Sequence, residues 1–338
     1  MAFERTVTAV DDQGITLDIP MVQALEKSYG GGEVAACKPG NPCARAGVER
    51  LRLVSAYQVG NEKTDEAHAS FGVEFGYSLD CWLREVSALH FTMGCVNAKS
   101  ASRRITIQAC ASFDPVSQIT GGRRYPFTVD GQQVLVQRCY SRNARHDFVT
   151  GGRLPGPNSF VDCLSEISHA DSGPHQRWAA GILYDNIAAA QLKVIDRANG
   201  GSGQGWAGTC HVFWNCTGEI VCQQPPTGIN WAIGCTGTKG KPPWPRAGGE
   251  RETLPRADGV WESWGTPVTP RSLYLSQLKD RLGIGAVRAA TIPEQLSGPI
   301  TKLLHCRYSS EPVYPACPAP STAATASALL QRPYGSTQ

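Results

Sequence analysis

The segments Thr106-Ile107-Gln108-Ala109-Cys110 and Leu135-Val136-Gln137-Arg138-Cys139 show the feature that decides the fold, a short apolar strand that ends at a cysteine. Similar segments end at four further anchor positions, which are Cys163, Asn186, Cys216 and Cys235. Successive anchors are 29, 24, 23, 30 and 19 residues apart. A repeat with one strand per copy is typical of a solenoid, because a single copy cannot bury its apolar face alone.

Stacked copies of this segment predict an all-β fold, a right-handed parallel β-helix. Neighbouring strands in such a stack lie about 4.8 Å apart and form parallel sheets along the axis. The six anchors are expected to line up in one column. The cysteines among them are expected to form a buried ladder of small apolar thiols.

The chain is expected to divide into four regions around the solenoid. In order, they are an N-terminal hairpin with a Cys/Pro loop over 1–47, the parallel β-helix over 48–237, a capping loop with a C-terminal helix over 238–306, and a disordered Pro/Ser/Thr/Ala tail over 307–338. Residues 270–283 contain leucines three and four residues apart and end at Gly283, which predicts a short amphipathic helix. This helix is expected to bury its leucine stripe, including Leu282, on the last rung. Residues 236–270 show no strand periodicity and predict a long loop.

Composition limits the classes of function. The net charge of +3 is too small to indicate a nucleic-acid partner or an anionic membrane. No run approaches the ~18 apolar residues of a membrane span, so no span is predicted. The first residues lack an apolar signal core, and we expect an extracellular or cell-surface protein whose signal lies upstream.

The thirteen cysteines are an odd set, so at least one is free or pairs between chains. Three pairs are candidates for disulfides, because they lie in Pro-rich loops or flank one strand. These pairs are Cys37 with Cys43, Cys306 with Cys317, and Cys210 with Cys222.

Two successive rung loops carry a high density of titratable groups. The first contains Arg142, Arg145, His146 and Asp147, and the second contains His169, Asp171, His175 and Arg177. Asp147 and Asp171 each lie eight residues past a cysteine anchor, and Asp196 with Arg197 follows in the next copy. Equivalent positions on stacked rungs lie about 5 Å apart, so these polar corners are predicted to stack on one side.

Aromatic residues are expected beside this polar cluster. Trp178 and Trp206 end similar segments that each precede a strand, so they are predicted to be near neighbours. The expected aromatic platform consists of Trp178, Trp206, Tyr125 and Phe148. Aromatic faces stack on sugar rings and arginine pairs with carboxylates in a forked geometry, which together indicate a polysaccharide as the partner.

These side chains fit β-elimination on a uronic acid. That reaction needs a cation on the carboxylate, a base for the adjacent C–H proton and an acid for the leaving oxygen. The candidates by role are Arg142, Arg145 or Arg177 as the cation, His146 or His169 as the base, and His175 as the acid. Substrate binding is assigned to Arg142, Arg145, Trp178, Asp196, Arg197 and Trp206.

Other interpretations of the same residues stay open. Hydrolysis needs two carboxylates at a defined separation, and Asp147 with Asp171 on adjacent rungs fits a retaining pair. The His-Asp corners can instead satisfy buried backbone groups and be structural. No cofactor is expected, because neither an HxH nor an HExxH spacing supports a metal at His146 and His169.

Several of these features resemble pectate-lyase-like right-handed β-helix proteins. They are the rung pattern, the segments Arg145-His146-Asp147-Phe148 and Gly173-Pro174-His175-Gln176-Arg177-Trp178, and the leucine helix at 273–282, within roughly 48–285. The resemblance implies extracellular work on polysaccharide. Family members hold Ca²⁺ with acidic residues and use an arginine base in an Arg-x-Pro-x-x-Arg setting. That motif is absent from this sequence, so neither the calcium site nor the arginine base carries over.

The sequence therefore predicts an extracellular polysaccharide lyase that acts on a uronic-acid-containing glycan. A glycoside hydrolase on the same fold is one alternative. A non-catalytic structural or glycan-binding protein that self-associates through the solenoid ends is the other. An open groove at His146, His169 and Arg177 favours the enzyme, and inward-facing side chains favour the scaffold.

Overall fold

The computed structural model describes residues 1–37, 40–241 and 256–311. Within them, most strands belong to three long, entirely parallel sheets, as in a parallel β-helix. We call them sheet I, with ten strands, sheet II, with eight, and sheet III, with five. Complete rungs pass from sheet I to sheet II and then to sheet III. The predicted solenoid is confirmed.

The strands are short because each rung turns three corners. Sheet I contains Gly47–Glu49, Trp82–Arg84, Thr106–Gln108, Leu135–Gln137, Pro155–Val161, Ala179–Asp185, Gly208–Thr209, Val212–Trp214, Trp231–Ile233 and Val260–Glu262. Sheet II contains Arg52–Val54, Ser87–Leu89, Ala111–Phe113, Tyr140–Arg142, Leu164–Glu166, Ala188–Val194, Thr217–Cys222 and Thr236–Lys239. Sheet III contains Phe71–Phe75, Gly94–Ala98, Phe127–Val129, Phe148–Thr150 and Gly173–Pro174. A smaller parallel pair joins Cys43–Ala44 to Ser78–Leu79.

The stretch 236–270 was predicted to be a loop, and this prediction is wrong at two places. Thr236–Lys239 pairs with sheet II, and Val260–Glu262 extends sheet I by one strand. Trp261 aligns with Ala232 on the preceding rung and contacts the core. Glycine, proline and tryptophan hide the strand because they interrupt the apolar alternation on which the prediction depends.

The core of sheet I is a row of in-register side chains. Val136, Phe160, Tyr184 and Phe213 follow one another at the middle position of successive strands, and all are fully buried. The Phe160 and Tyr184 rings are stacked with their centroids 5.0 Å apart. Parallel strands in register repeat at about 4.8 Å, a spacing that suits flat rings.

The corner between sheets I and II is a single residue in the left-handed conformation. Residues at this corner include Ala109, Arg138, Asp162, Asn186 and Asn215. The residue after each corner points into the core and forms a buried row of Cys110, Cys139, Cys163, Ile187, Cys216 and Cys235. The predicted thiol ladder is therefore confirmed. The placement of Asn186 in that column is wrong, because Asn186 is the corner residue itself and Ile187 takes the inward position.

The cysteines do not form the disulfides that the sequence predicts. Cys37, Cys43, Cys210 and Cys222 are all free, so the two predicted pairings among them are wrong. Cys306 is free and exposed, and its predicted partner Cys317 lies outside the described residues. Over residues 1–37, 40–241 and 256–311, no two cysteines form a disulfide.

The predicted N-terminal hairpin is confirmed, with Val7–Asp11 antiparallel to Gly14–Leu17. The hairpin belongs to an N-terminal segment, residues 3–32, that also includes the short 3-10 helix Lys27–Tyr29. This segment lies against several rungs where they enter sheet I. For example, Arg5 Nη2 donates to the Gly156 carbonyl oxygen over 2.7 Å.

The C-terminal helices form a strap, residues 271–311. They are Leu273–Ala290, which is kinked at Gly283, followed by Pro293–Ser297 and Thr301–Tyr308. The prediction that the first helix buries its leucine stripe on the last rung holds only in part. Leu275 is buried, but Leu282 is 63% exposed, and the helix contacts the strand Ala179–Asp185, which is not on the last rung. No helix in the described part of the chain is long and apolar enough to cross a bilayer.

The C-terminal strap runs along the corner between sheets I and II, back towards the first rung. Arg271 forms an ion pair with Asp162 over 2.7 Å, and Gln295 accepts a hydrogen bond from Arg138 over 2.6 Å. At its far end, the Glu311 carbonyl accepts from Arg142 over 2.9 Å. Long-range pairs with the corner side chains thus hold the helices on the flank of the solenoid.

Candidate functional site

Sheet III ends early, and the site lies where it stops. Its last strand is Gly173–Pro174, whereas sheets I and II continue through later rungs. The loop 195–207 contacts this rung, since the Arg177 amide donates to the Gln204 carbonyl over 2.9 Å. In this way the loop brings its own polar side chains to the open end of sheet III.

A group of polar side chains meets at this end, and we call it the Tyr125 cluster. Its members are Tyr125, Arg145, His146, Asp171, His175, Arg197 and Gln204. The first three come from the corners that precede two adjacent strands of sheet III. The register pairs Phe127 with Phe148, which places Tyr125 directly over His146. Their rings are 4.8 Å apart and perpendicular.

Tyr125 is held between a base and a cation. Its hydroxyl lies 3.3 Å from His175 Nε2, and Arg145 Nη1 donates to Tyr125 Oη over 3.2 Å. Gln204 Nε2 also donates to His175 Nε2, over 3.4 Å. Because the Gln204 amide nitrogen can only donate, His175 Nε2 is assigned as the unprotonated nitrogen of a neutral imidazole. It can also accept from the Tyr125 hydroxyl, whose other acceptor is the Gly121 carbonyl at 3.4 Å.

The buried His146 ring packs against the His175 ring. Its Nδ1 donates to the Asp171 carbonyl oxygen over 2.5 Å, and the two imidazole rings lie 4.7 Å apart. His146 Nε2 and His175 Nδ1 are buried nitrogens without a hydrogen-bond partner in the described structure. Arg197 forms an ion pair with the Asp171 carboxylate. The cluster therefore contains a paired charge and two spare imidazole nitrogens.

Burial sets the protonation states in the cluster. It lowers the pKa of His146 to about 4 and that of His175 to about 3. The charges of Arg145 and Arg197 lower both pKa values further, and the Asp171 carboxylate acts against them. Burial raises the pKa of Tyr125. Burial, the largest single effect on Asp171, would raise its pKa, but the surrounding positive charges, of which Arg197 contributes most, together outweigh burial and lower the pKa. At neutral pH the histidines are uncharged, Tyr125 keeps its proton and Asp171 is ionised.

Asp147 does not join this cluster. The register pairs Val149 with Gly173, so Asp147 and Asp171 occupy equivalent positions on adjacent rungs. The Asp147 side chain is fully buried, however, and its Oδ1 accepts from Ser141 Oγ over 2.5 Å. Burial raises the pKa of Asp147. A carboxyl sealed in the core cannot meet a substrate, so the expected carboxylate pair for hydrolysis is wrong.

Two further candidates are exposed but lie apart from the Tyr125 cluster. His169 Nε2 is 2.7 Å from the Asn143 Oδ1, and burial lowers its pKa. Arg177 donates to Ser202 Oγ over 2.5 Å on the surface loop. In the described residues neither side chain bonds to a member of the Tyr125 cluster, so the expected convergence with His146 is not observed.

Arg142 and Asp196 have structural partners. Arg142 is buried on sheet II, where it pairs with Asp114 over 2.6 Å and holds the C-terminal strap. Asp196 pairs with Arg256 over 2.6 Å. These contacts occupy both side chains, and neither residue joins the Tyr125 cluster.

The four aromatic residues of the expected platform do not come together beside the cluster. Phe148 is fully buried and stacks on Phe127 at 5.5 Å. Trp178 and Trp206 are neighbours, as predicted, with the Trp178 amide donating to the Trp206 carbonyl over 2.9 Å. Trp178 faces the N-terminal segment and Trp206 lies under Arg256. Of the four predicted aromatic residues, Tyr125 alone belongs to the cluster.

Gln204 is a member of the cluster that the sequence analysis missed as a site residue. A signal was present, because residues 203–206 repeat the pattern of 175–178 and so belong to the next rung. In the described residues, no group of three or more His, Cys, Asp or Glu side chains is placed to hold a metal ion.

The architecture defines the class, a parallel β-helix protein with a polar cluster at the end of its shortest sheet. No protein-family model matches the chain, and neither curated proteins nor solved structures give a match.

Proposed function

We propose that this protein is a polysaccharide lyase that cleaves a uronic-acid-containing glycan, with Tyr125 as the residue that moves the proton. The position of the Tyr125 hydroxyl, between the His175 imidazole and the Arg145 guanidinium, carries the proposal. Tyr125 and Arg145 are half-buried and reach solvent, whereas His146 and His175 are 1% and 7% exposed. Substrate therefore meets the tyrosine and the arginine, and the histidines act behind them.

Each part of an elimination has a residue in this arrangement. Arg145 pairs with the uronate carboxylate, which acidifies the C5–H bond. Tyr125 passes its proton to His175 Nε2, and the phenolate takes the C5 proton. The C5–H electron pair becomes the C4=C5 double bond, the C4–O bond breaks, and the leaving oxygen takes the proton from Tyr125. His175 then returns the first proton to Tyr125.

Charge controls when the base forms. In the empty site the lowered pKa of His175 and the raised pKa of Tyr125 keep the proton on the tyrosine. A bound carboxylate brings a negative charge to this desolvated region, which favours a protonated His175. Burial raises the pKa of Tyr125 and the charge of Arg145 acts to lower it, so the guanidinium beside the hydroxyl is the group that stabilises the phenolate.

A single residue that both takes and gives the proton must face both reacting positions. H5 and O4 must then lie on the same face of the sugar ring. The 4-linked polymers of glucuronate and mannuronate meet this condition, whereas polygalacturonate has the two atoms on opposite faces. An extracellular or cell-surface location fits this proposal, because such polymers lie outside the cytosol.

We expect the purified chain to release unsaturated oligosaccharides from glucuronan or polymannuronate and not from polygalacturonate. The measurement is the ultraviolet absorbance of the C4=C5 product, recorded together with the number of reducing ends. Reducing ends without absorbance would indicate hydrolysis. If neither signal changes on any of the three polymers, the protein is not this enzyme.

A structural role through self-association has one specific observation in its favour. Gly47–Glu49, Arg52–Val54 and Phe71–Phe75 are the first strands of the three sheets, and each is paired on one side only within the described residues. Leu51 and Val54, beside these edges, are 47% and 44% exposed. Unpaired strand edges pair readily with another chain, and two copies of one end form a closed dimer.

We expect this end to produce a concentration-dependent dimer, measured by light scattering after size-exclusion chromatography. Val54→Lys should shift the protein to the monomer, because it places a charge at the pairing edge. Val10→Lys, on the exposed N-terminal hairpin, is the matched control and should leave the dimer intact. A wild-type protein that stays monomeric at high concentration would exclude end-to-end pairing.

A further inference from the structure

A groove lies between the N-terminal segment and the outer face of sheet I. It encloses about 420 Å³, and its walls include Trp178, Trp231, Tyr29, Leu25, Gln23 and Glu26. None of these residues belongs to the Tyr125 cluster. The volume falls in the range of about 300–1,000 Å³ that small-molecule sites occupy.

The groove is a built feature, because the N-terminal segment is held against the rungs at several points. Trp178 Nε1 donates to Gln23 Oε1 over 3.1 Å, which ties the segment to the rung. Val22 packs on Gly181 so closely that a Cβ at Gly181 would lie 2.4 Å from Val22 Cβ. Further along, Glu4 pairs with Arg103 over 2.6 Å.

The chemistry of the walls points to a sugar. Trp178, Trp231 and Tyr29 offer aromatic surface, and the faces of pyranose rings pack on such surfaces. Gln23 and Thr209 add polar side chains to the lining, which suits hydroxyl groups.

The groove differs from the Tyr125 cluster in the charge of the side chains that line it. Among the described residues that line it, Glu26 is the only charged side chain, and no arginine or lysine is present. A uronate would meet a carboxylate and no cation there, which disfavours binding.

We infer that this groove binds a neutral sugar unit, a mono- or disaccharide segment, and that it is separate from the proposed catalytic site. Trp178 follows His175 by three residues, so the groove lies round the corner from the cluster on the same rung. The inference does not depend on the lyase proposal, because binding in the groove needs no turnover.

The test uses the full chain and five probes, namely cellobiose, xylobiose, mannobiose, galactobiose and digalacturonate. The readout is the indole N–H signals of the tryptophans in a ¹H–¹⁵N spectrum. At least one neutral disaccharide is expected to shift the Trp178 and Trp231 signals in a saturable manner. Digalacturonate is expected to bind at least tenfold more weakly.

Variants locate the binding. Trp231→Ala is expected to weaken it at least tenfold, and Tyr29→Ala, at a 69% exposed position that folding does not need, should weaken it as well. Trp82→Ala changes an exposed tryptophan on the same sheet far from the groove and should bind like the wild type. The inference is overturned if no neutral disaccharide gives a saturable shift, if digalacturonate binds as well as the neutral probes, or if both groove variants bind unchanged.

Discussion

Replacing Tyr125 with phenylalanine is expected to lower the turnover of a uronic-acid polymer by about 10²–10⁴-fold, the usual contribution of one proton-transfer group. The change removes the hydroxyl that lies 3.3 Å from His175 Nε2 and leaves the ring that packs on His146. The effect should appear in kcat more than in KM, because Arg145 still binds the carboxylate. Initial rates of unsaturated product measure it.

The control for this variant is Tyr77→Phe, which removes another tyrosine hydroxyl on the surface near the first rung, where it accepts from the Gly40 amide. Turnover should be unchanged there. Thermal unfolding of both variants should match the wild type, since neither change opens a cavity. Full turnover by Tyr125→Phe would show that another group carries the proton and would remove the proposed mechanism.

Acidification is expected to destabilise the fold strongly between about pH 6.5 and about pH 3. Burial lowers the pKa of His146 to about 4 and those of His175 and His211 to about 3, whereas an unfolded histidine titrates near 6.5. Above pH ~6.5 the imidazoles are neutral in both the folded and the unfolded state, so they add nothing to the pH dependence of stability. As the pH falls through this window the unfolded chain takes up protons first, so stability is lost.

Each pKa unit corresponds to about 1.4 kcal/mol, so each of these histidines should remove on the order of 3 kcal/mol by pH ~3. Asp185 acts in the opposite direction. Burial raises its pKa to about 6, and protonation relieves the cost of burying its charge. A variant compared with the wild type at every pH isolates the histidine contribution.

His211→Asn is the best variant for this purpose, because the amide oxygen can replace Nδ1 as the acceptor of the Ile182 amide. Urea unfolding at pH 7.5 and 4.5, followed by circular dichroism, should show a smaller loss of stability on acidification than in the wild type. His169→Gln changes an exposed imidazole and should alter the pH dependence much less. Equal pH dependence in wild type and His211→Asn would contradict the burial argument.

The fold was predictable because one residue per strand must face inward, and apolar side chains such as Phe160 and Phe213 mark that position in the sequence. The column of anchors was harder to place. Asn186 and Ile187 are adjacent, and only the backbone conformation decides which is the corner and which faces the core. The lateral position of the C-terminal helices depends on pairs such as Arg271 with Asp162, which join distant residues and leave no local pattern.

The candidate site was predictable in part, for a related reason. Counting residues from the anchors gives the rung on which a side chain lies, and this brought Arg145, His146 and His175 to the same region. It does not give the direction of the side chain. Asp147 and Asp171 are equivalent in register, yet Asp147 faces the serine-lined core while Asp171 faces Arg197. Both loops have a left-handed residue four positions earlier, Asn143 and Ile167, so this backbone feature does not distinguish the two side chains.

The C-terminal strap has a consequence for how the protein unfolds and for how it folds during synthesis. Solenoids usually fray rung by rung, since each repeat touches only its neighbours. Here Glu311 bonds to Arg52, 259 residues earlier in the chain. Loss of the first rungs therefore requires the strap to peel away, which should make denaturation closer to all-or-none. During synthesis on the ribosome, the corner between sheets I and II stays uncovered until these helices emerge. A nascent chain therefore exposes a surface, prone to association, that the strap covers in the finished protein.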